Sequence, residues 1–191
     1  MKYQIINRIP ENLVNLKRLK EDYVAVDFKE HDDLLCKLYQ QSVEFAEGKV
    51  RFPVHKSDTA ITLNAAGSCY GDIDSINNYF SFQKMKVNDP DNMVITKFNL
   101  AGDEITLVEG TNYRFDSEAN RIYWIGGIEN AENGYEFIKI VVNIGWDCTD
   151  IPADLETALM DITSLYYDSR GADISYPRKA MSALSRYAWY H

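Results

Sequence analysis

The sequence predicts an α+β protein: a small helical bundle built from both ends of the chain, with an antiparallel β-module inserted between them. Three observations carry this. Apolar residues recur at helical spacing near each end, and β-branched and aromatic residues dominate short runs across 50–144, broken by Gly, Asn and Asp. A strand followed by a helix over 137–170 then joins the two patterns. The implied division is 1–49 for the N-terminal helices, 50–144 for the inserted module, and 145–191 for the C-terminal helices and a tail.

The junction comes first because the rest is organised around it. Ile138, Ile140, Val142 and Ile144 fall on one face at period two, so 136–144 reads as a buried strand ended by Gly145-Trp146. Pro152 suits a first helical position, where its missing N–H would have no intrahelical partner. Asp154 and Glu156 favour the positive end of the helix dipole. Leu155, Leu159, Ile162 and Tyr166 follow at helical spacing, widened by Ala158 and Leu165, and Gly171 is placed as a left-handed cap. Burying each large apolar residue of that stripe is worth roughly 1.5–3 kcal/mol, which makes this helix core.

Toward the N-terminus, 11–22 carries Leu13, Leu16 and Leu19 on one helical face. A second helix opens near His31-Asp32-Asp33. Leu34, Leu38 and Phe45 form one stripe on it, Leu35, Tyr39, Val43 and Ala46 form another, and Gly48 is expected to close it. Two stripes give more apolar surface than a lone surface helix uses. Ordinary core packing is the expected cover for both, and the alternative is that one stripe packs against a neighbouring subunit.

Strands are expected near 59–63, 79–87, 93–99, 104–108 and 121–125, ahead of the junction strand. Ala101-Gly102-Asp103 and Asn133-Gly134 read as turns, and 64–78 as a long surface loop. After Gly171 to Tyr176, Pro177 opens a last helix with Met181, Leu184, Tyr187 and Ala188 as its apolar positions.

Composition narrows the function. With 46% hydrophobic residues the chain can bury a core, and the formal net charge is −9. Residues 145–170 hold six acids against one base, whereas 171–191 hold three bases against one acid. Gripping nucleic acid needs Lys and Arg to neutralise phosphates, so an acidic chain of this kind suits standing near DNA without holding it. No apolar run approaches a membrane span and the first residues do not read as a signal peptide. Three well-separated cysteines fit a reducing compartment; Cys69 and Cys148 read as small buried hydrophobes.

Reactive constellations are not evident. The three histidines lie apart, there is no Gly-x-Ser-x-Gly elbow, and Gly67 to Gly71 lacks the Gly-Lys-Ser/Thr end of a phosphate loop. Asp72-x-Asp74 fails as a calcium loop, with Ile76, Asn77 and Gln83 where the pattern needs other residues. Neither cofactor nor metal is expected, nor catalysis. A β-rich module binding a glycan or a receptor is the alternative reading, through Tyr70, Tyr79, Tyr113, Tyr123, Trp124 and Tyr135. A hydrolase with an acidic site of unfamiliar pattern ranks below it.

The order of segments resembles the tailed-phage head–tail connector (adaptor, or head completion) proteins, in the larger type with an inserted β-module. The carriers are the strand ending in Gly145-Trp146, Ile151-Pro152 opening an acidic helix, and its close on Tyr167-Asp168-Ser169-Arg170, with Asp168 in place of the family's Glu. Asp32-Asp33 opening a helix that ends on Ala46-Glu47, the Gly102 to Leu107 turn, Asn112 to Asp116, and Ser182 to Tyr187 follow in the same order. The resemblance touches most of the chain and is tightest over 94–170.

What the resemblance implies is a structural virion protein of the neck, assembled in host cytoplasm. It would form a dodecameric ring joining the portal protein to a tail-side or head-closure protein, with DNA passing through and no membrane involved. Asp154, Glu156, Asp161 and Asp168 are the expected channel-facing residues, because like-charged walls let DNA slide. Arg178, Lys179, Arg186, Tyr187, Trp189 and Tyr190 are the expected portal-docking residues, being the basic and aromatic types that dominate interface hot spots.

Overall fold

The structure, a computed structural model, describes residues 2–8, 15–64, 79–99, 102–126, 137–169 and 175–188. The chain forms two compact units, one from residues 1–9 and 56–145, the other from residues 10–55 and 146–190. Sheets make up the first and helices the second, which is the α+β class the periodicities imply.

The sheet unit is built outward from β8 (Phe137–Ile144), whose Ile138, Ile140, Val142 and Ile144 are all buried. On one side β8 pairs antiparallel with β2 (Ser57–Asn64), setting Ile61 opposite Ile140 and Leu63 opposite Ile138. On the other it pairs antiparallel with β4 (Val94–Phe98), with Ile95 also opposite Ile140. Period-two alternation thus fixes the register, since a one-residue slip would turn every isoleucine to the other face. β1 (Lys2–Arg8) and β5 (Glu104–Leu107) complete the order β1-β2-β8-β4-β5. A second sheet, in the order β3-β7-β6, comprises β3 (Tyr79–Ser81), β6 (Tyr113–Asp116) and β7 (Arg121–Trp124). Phe80 and Phe82 pack edge-on at 5.0 Å between ring centres, with Ile122 buried beside them in the same core layer.

Several expectations change here. Lys2–Arg8 is a sheet strand, not part of the bundle: Tyr3 and Ile5 alternate with exposed neighbours along β2. The strand expected over 79–87 ladders only through Ser81, because Gln83 takes a left-handed φ of 51° and breaks the extended run. Val87 returns as an isolated bridge to Ile144. The turn before β5 is tied by Asn99, whose Oδ1 accepts the Asp103 N–H at 2.8 Å while Gly102 supplies φ +88°. Cys148 is exposed, not buried: it lies in the turn where the Asp147 carbonyl accepts from the N–H groups of Asp150 and Ile151. Asn133-Gly134, Gly171, Cys69 and residues 65–78 of the expected loop lie outside the described residues.

In the helical unit α3 (Ala153–Ser169) packs against α2 (Asp32–Val50), α4 (Arg178–Tyr187) and the π-helical stretch Leu19–Val24 that continues α1 (Leu16–Arg18). Leu155, Leu159 and Ile162 are fully buried as their spacing requires, and so are Leu35, Val43 and Ala46 of α2. The other α2 stripe divides: Leu34 is exposed and Leu38 half-exposed, while Phe45 stacks on Tyr176 at 4.2 Å. Both prolines stand one residue before their helices, not at the first helical position expected of Pro152. Their carbonyls accept the first helical N–H groups, Pro152 from Glu156 and Pro177 from Met181.

Gly48 does not end α2. The helix continues to Val50, and Arg51 takes the left-handed cap at φ 64°. The reason is packing. Val50, Phe52 and Val54 are all buried, and the Glu47 carboxylate accepts the Val54 N–H at 3.0 Å, which outweighs the ~1 kcal/mol propensity loss of an internal glycine.

Candidate functional site

The residues singled out from the sequence converge on the α3–α4 face of the helical unit. α4 buries Ala180, Ala183 and Leu184 and turns its basic side chains outward. It runs antiparallel to α3, so that Arg186 meets Asp154 at one end and Lys179 lies near Asp161 further along. Small side chains line the groove between them, Ala153, Thr157 and Ala158 from α3 and Ala180, Ser182 and Ala183 from α4, enclosing about 760 Å³.

Asp154 clasps the end of α4. Its Oδ2 receives Arg186 Nη2 at 2.9 Å, and its Oδ1 accepts the Tyr187 hydroxyl at 2.8 Å. The Tyr187 ring stands edge-on to Trp146 at 5.9 Å, and Trp146 in turn meets Phe52 at 5.8 Å. Burial, then the hydrogen bond to a carboxylate, push the Tyr187 hydroxyl up to about 12. Tyr187 therefore packs back onto its own chain, while Arg186 pairs with Asp154 and stays largely exposed. Arg178 and Lys179 are exposed; Trp189 and Tyr190 lie outside the described residues.

The four acids expected to face a channel lie on two faces of α3. Asp154, Asp161 and Asp168 recur every seven residues and line one stripe of α3, but Glu156 lies on the far side. There it forms an ion pair and hydrogen bond with Arg18 of α1, and the same carboxylate raises the Arg18 guanidinium pKa. Along the stripe, Asp161 is half-buried. Burial raises its carboxyl pKa, against the pull of Lys179, while Asp168 is exposed.

Sequence reasoning missed Arg18 as the partner of Glu156, 138 residues away, and the bond between His31 Nδ1 and the Tyr167 hydroxyl at 2.5 Å, 136 residues apart. No local spacing signals either pairing.

The aromatic residues of the alternative, glycan-binding reading are mostly committed to packing. Tyr113 and Trp124 are buried against each other at 6.5 Å. Tyr79 and Tyr123 stand 5.8 Å apart, the first covered by Arg121 and the second by Arg114. Tyr70 and Tyr135 lie outside the described residues. Among the described residues no three His, Cys, Asp or Glu side chains gather as a metal site would need, and no helix is long and apolar enough to cross a membrane.

No family model and no curated protein matches the sequence. Solved structures do match the fold. A chain in the neck of an empty gene transfer agent (GTA) particle, computed with C6 symmetry, superposes with a TM-score of 0.70 at 15% identity, covering 100% of this chain and 97% of that one. A chain in the neck of the native GTA particle, computed with C12 symmetry, gives a TM-score of 0.68 at 14% identity with the same coverage. One from the virion of the native particle gives 0.67 at 14% identity. From end to end, the α+β fold of this chain is one also found in the necks of GTA particles.

Proposed function

We propose that this chain is a structural neck protein of a phage-like particle: an adaptor ring between the portal and a tail-side or head-closure protein, through which DNA passes. The observation that carries the reading is the likeness over the whole chain, bundle and inserted sheets together, to chains in GTA necks. A shared bundle alone would mean little, because helix bundles serve many functions. The C12 symmetry of a neighbouring neck supports a cyclic assembly of this chain as well.

Within that reading the α3–α4 face meets the portal through Arg178 and Lys179, which stand exposed on the first turn of α4, together with Trp189 and Tyr190. Asp161 and Asp168 remain as the acids available to a DNA channel, after Asp154 and Glu156 are taken up by Arg186 and Arg18. No catalytic step is assigned to it.

Particles made without this chain should fill their heads yet fail to join tails, as counted by electron microscopy. Intact, tailed necks in its absence overturn the reading. Reversing Arg178 and Lys179 to Glu tests the docking face separately: a folded protein that no longer attaches to portal-bearing heads is expected, and undiminished attachment removes that face.

A further inference from the structure

Among the described residues the five-stranded sheet ends in β1 at one side and β5 at the other. An edge strand presents a row of N–H and C=O groups that can template pairing with another chain. The two edges here differ in charge. β1 carries Lys2 and Arg8 and no acid, whereas residues 103–109 carry Asp103, Glu104 and Glu109 and no base. Large apolar side chains are exposed at the same two places: Ile6, 55% exposed where the β1–β2 register shifts, and Ile105 and Val108, 47% and 58% exposed, on and just after β5.

These features discriminate between ways of pairing. A two-fold dimer uses the same patch on both copies. Joining β1 to β1 sets base against base, and joining β5 to β5 sets acid against acid; like charges across a strand pair are unfavourable. Only β1 against β5 brings opposite signs together and covers apolar side chains from both partners. That contact is head to tail, the kind that closes rings.

Strand direction agrees. Every pairing in the sheet is antiparallel and the order holds five strands, so β1, β8 and β5 all run the same way. Rotation about an axis along the strands preserves that sense, so β5 of one copy lies parallel to β1 of the next. We infer that a second copy of this chain docks here: β1 of one subunit extends the sheet of its neighbour at β5, in a parallel joint about as long as the four residues Glu104–Leu107. The inference rests on the ring reading above and names the joint that closes it.

Exposed positions test it. One variant of the full chain makes both edges acidic (Lys2→Glu with Gln4→Glu); another makes both basic (Glu104→Lys with Thr106→Lys). Wild-type protein should form closed multimers at high concentration by native mass spectrometry and electron microscopy. Each variant alone should remain monomeric with unchanged thermal unfolding, and an equimolar mixture should assemble by alternating the two. Wild-type protein that stays monomeric, either variant assembling alone, or a mixture that stays monomeric overturns the joint. The neck reading fails differently. Particles whose necks form normally with one variant alone remove the edge joint and keep the neck role; necks that never contain this chain remove both.

Discussion

The two units are stabilised differently. In the sheet unit the central layer is Ile61, Leu63, Ile95, Ile138, Ile140 and Val142, side chains without a polar atom, aligned by strand register. Polar residues are buried around that layer, Ser57, Thr59, Thr96, Lys97 and Asn99 among them, and Asn143 Nδ2 donates to Asp58 Oδ1 at its border. In the helical unit polar groups instead join the packed helices and the segment after α2. Thr163 Oγ1 donates to Ser42 Oγ at 2.9 Å between α3 and α2, Glu47 receives the Val54 N–H, and the Tyr39 hydroxyl lies 3.2 Å from His55 Nε2. A sheet needs only its alternation to select one register. Helices that slide along one another need directional contacts to select one arrangement. The central layer of the sheet should therefore respond to lost volume, and the helix–helix contacts to lost hydrogen bonds and changed charge as well.

The largest expected effect breaks the sheet at its centre. Ile140→Ala removes side-chain volume at a fully buried position flanked by Ile61 and Ile95, and should cost about 2–5 kcal/mol in denaturant unfolding. A loss below about 1 kcal/mol would mean that the layer collapses around the gap and is less rigidly packed than its register implies. Next comes Glu47→Ala in the bundle. It leaves the buried Val54 N–H without its carboxylate and should cost about 1–3 kcal/mol, with hydrogen exchange at Val54 accelerated. Glu47→Gln, which keeps an acceptor oxygen, should recover most of that loss.

Thr163→Val keeps the shape and deletes the hydroxyl shared with Ser42, for an expected loss of about 1 kcal/mol. The comparison sharpens if the same change at Thr59 of β2, whose hydroxyl meets only the nearby Ser57 carbonyl, costs less. The smallest thermodynamic effect is at the Asp154 clasp. Arg186 is largely exposed, so Arg186→Ala should change stability by about 0–1 kcal/mol.

The clasp shows itself better in pH. The folded protein holds the Tyr187 hydroxyl protonated up to about 12, above the ordinary value of 10. A group whose folded pKa is raised contributes stability that is complete below its unfolded pKa and is lost as pH rises through the folded one. The attachment of α4 should thus weaken between pH 10 and about 12, followed by helix content and phenolate absorbance. Tyr187→Phe should remove that part of the pH dependence. An unaltered profile in the variant would show that Tyr187 does not hold α4.

The alternation in 137–144 and the stripes on α2 and α3 were legible in the sequence because a strand or helix repeats its burial at a fixed period, whatever it packs against. The α+β class followed from where those periods change, and the basic residues of α4 stood out by composition alone. The spacing of Asp154, Asp161 and Asp168 was equally legible, since positions seven apart always share a helix face. Their partners were not. Whether Glu156 turns to a channel or to Arg18, whether Tyr187 reaches outward or lies on Trp146, and whether α2 stops at Gly48 or runs on to bury Val50 depend on contacts between segments as much as 138 residues apart. Local spacing carries no record of such contacts. The edges of the sheet belong to the same class: that β1 and β5 lie at opposite ends of one layer, with opposite charges, is decided by strand order, which only the folded chain sets.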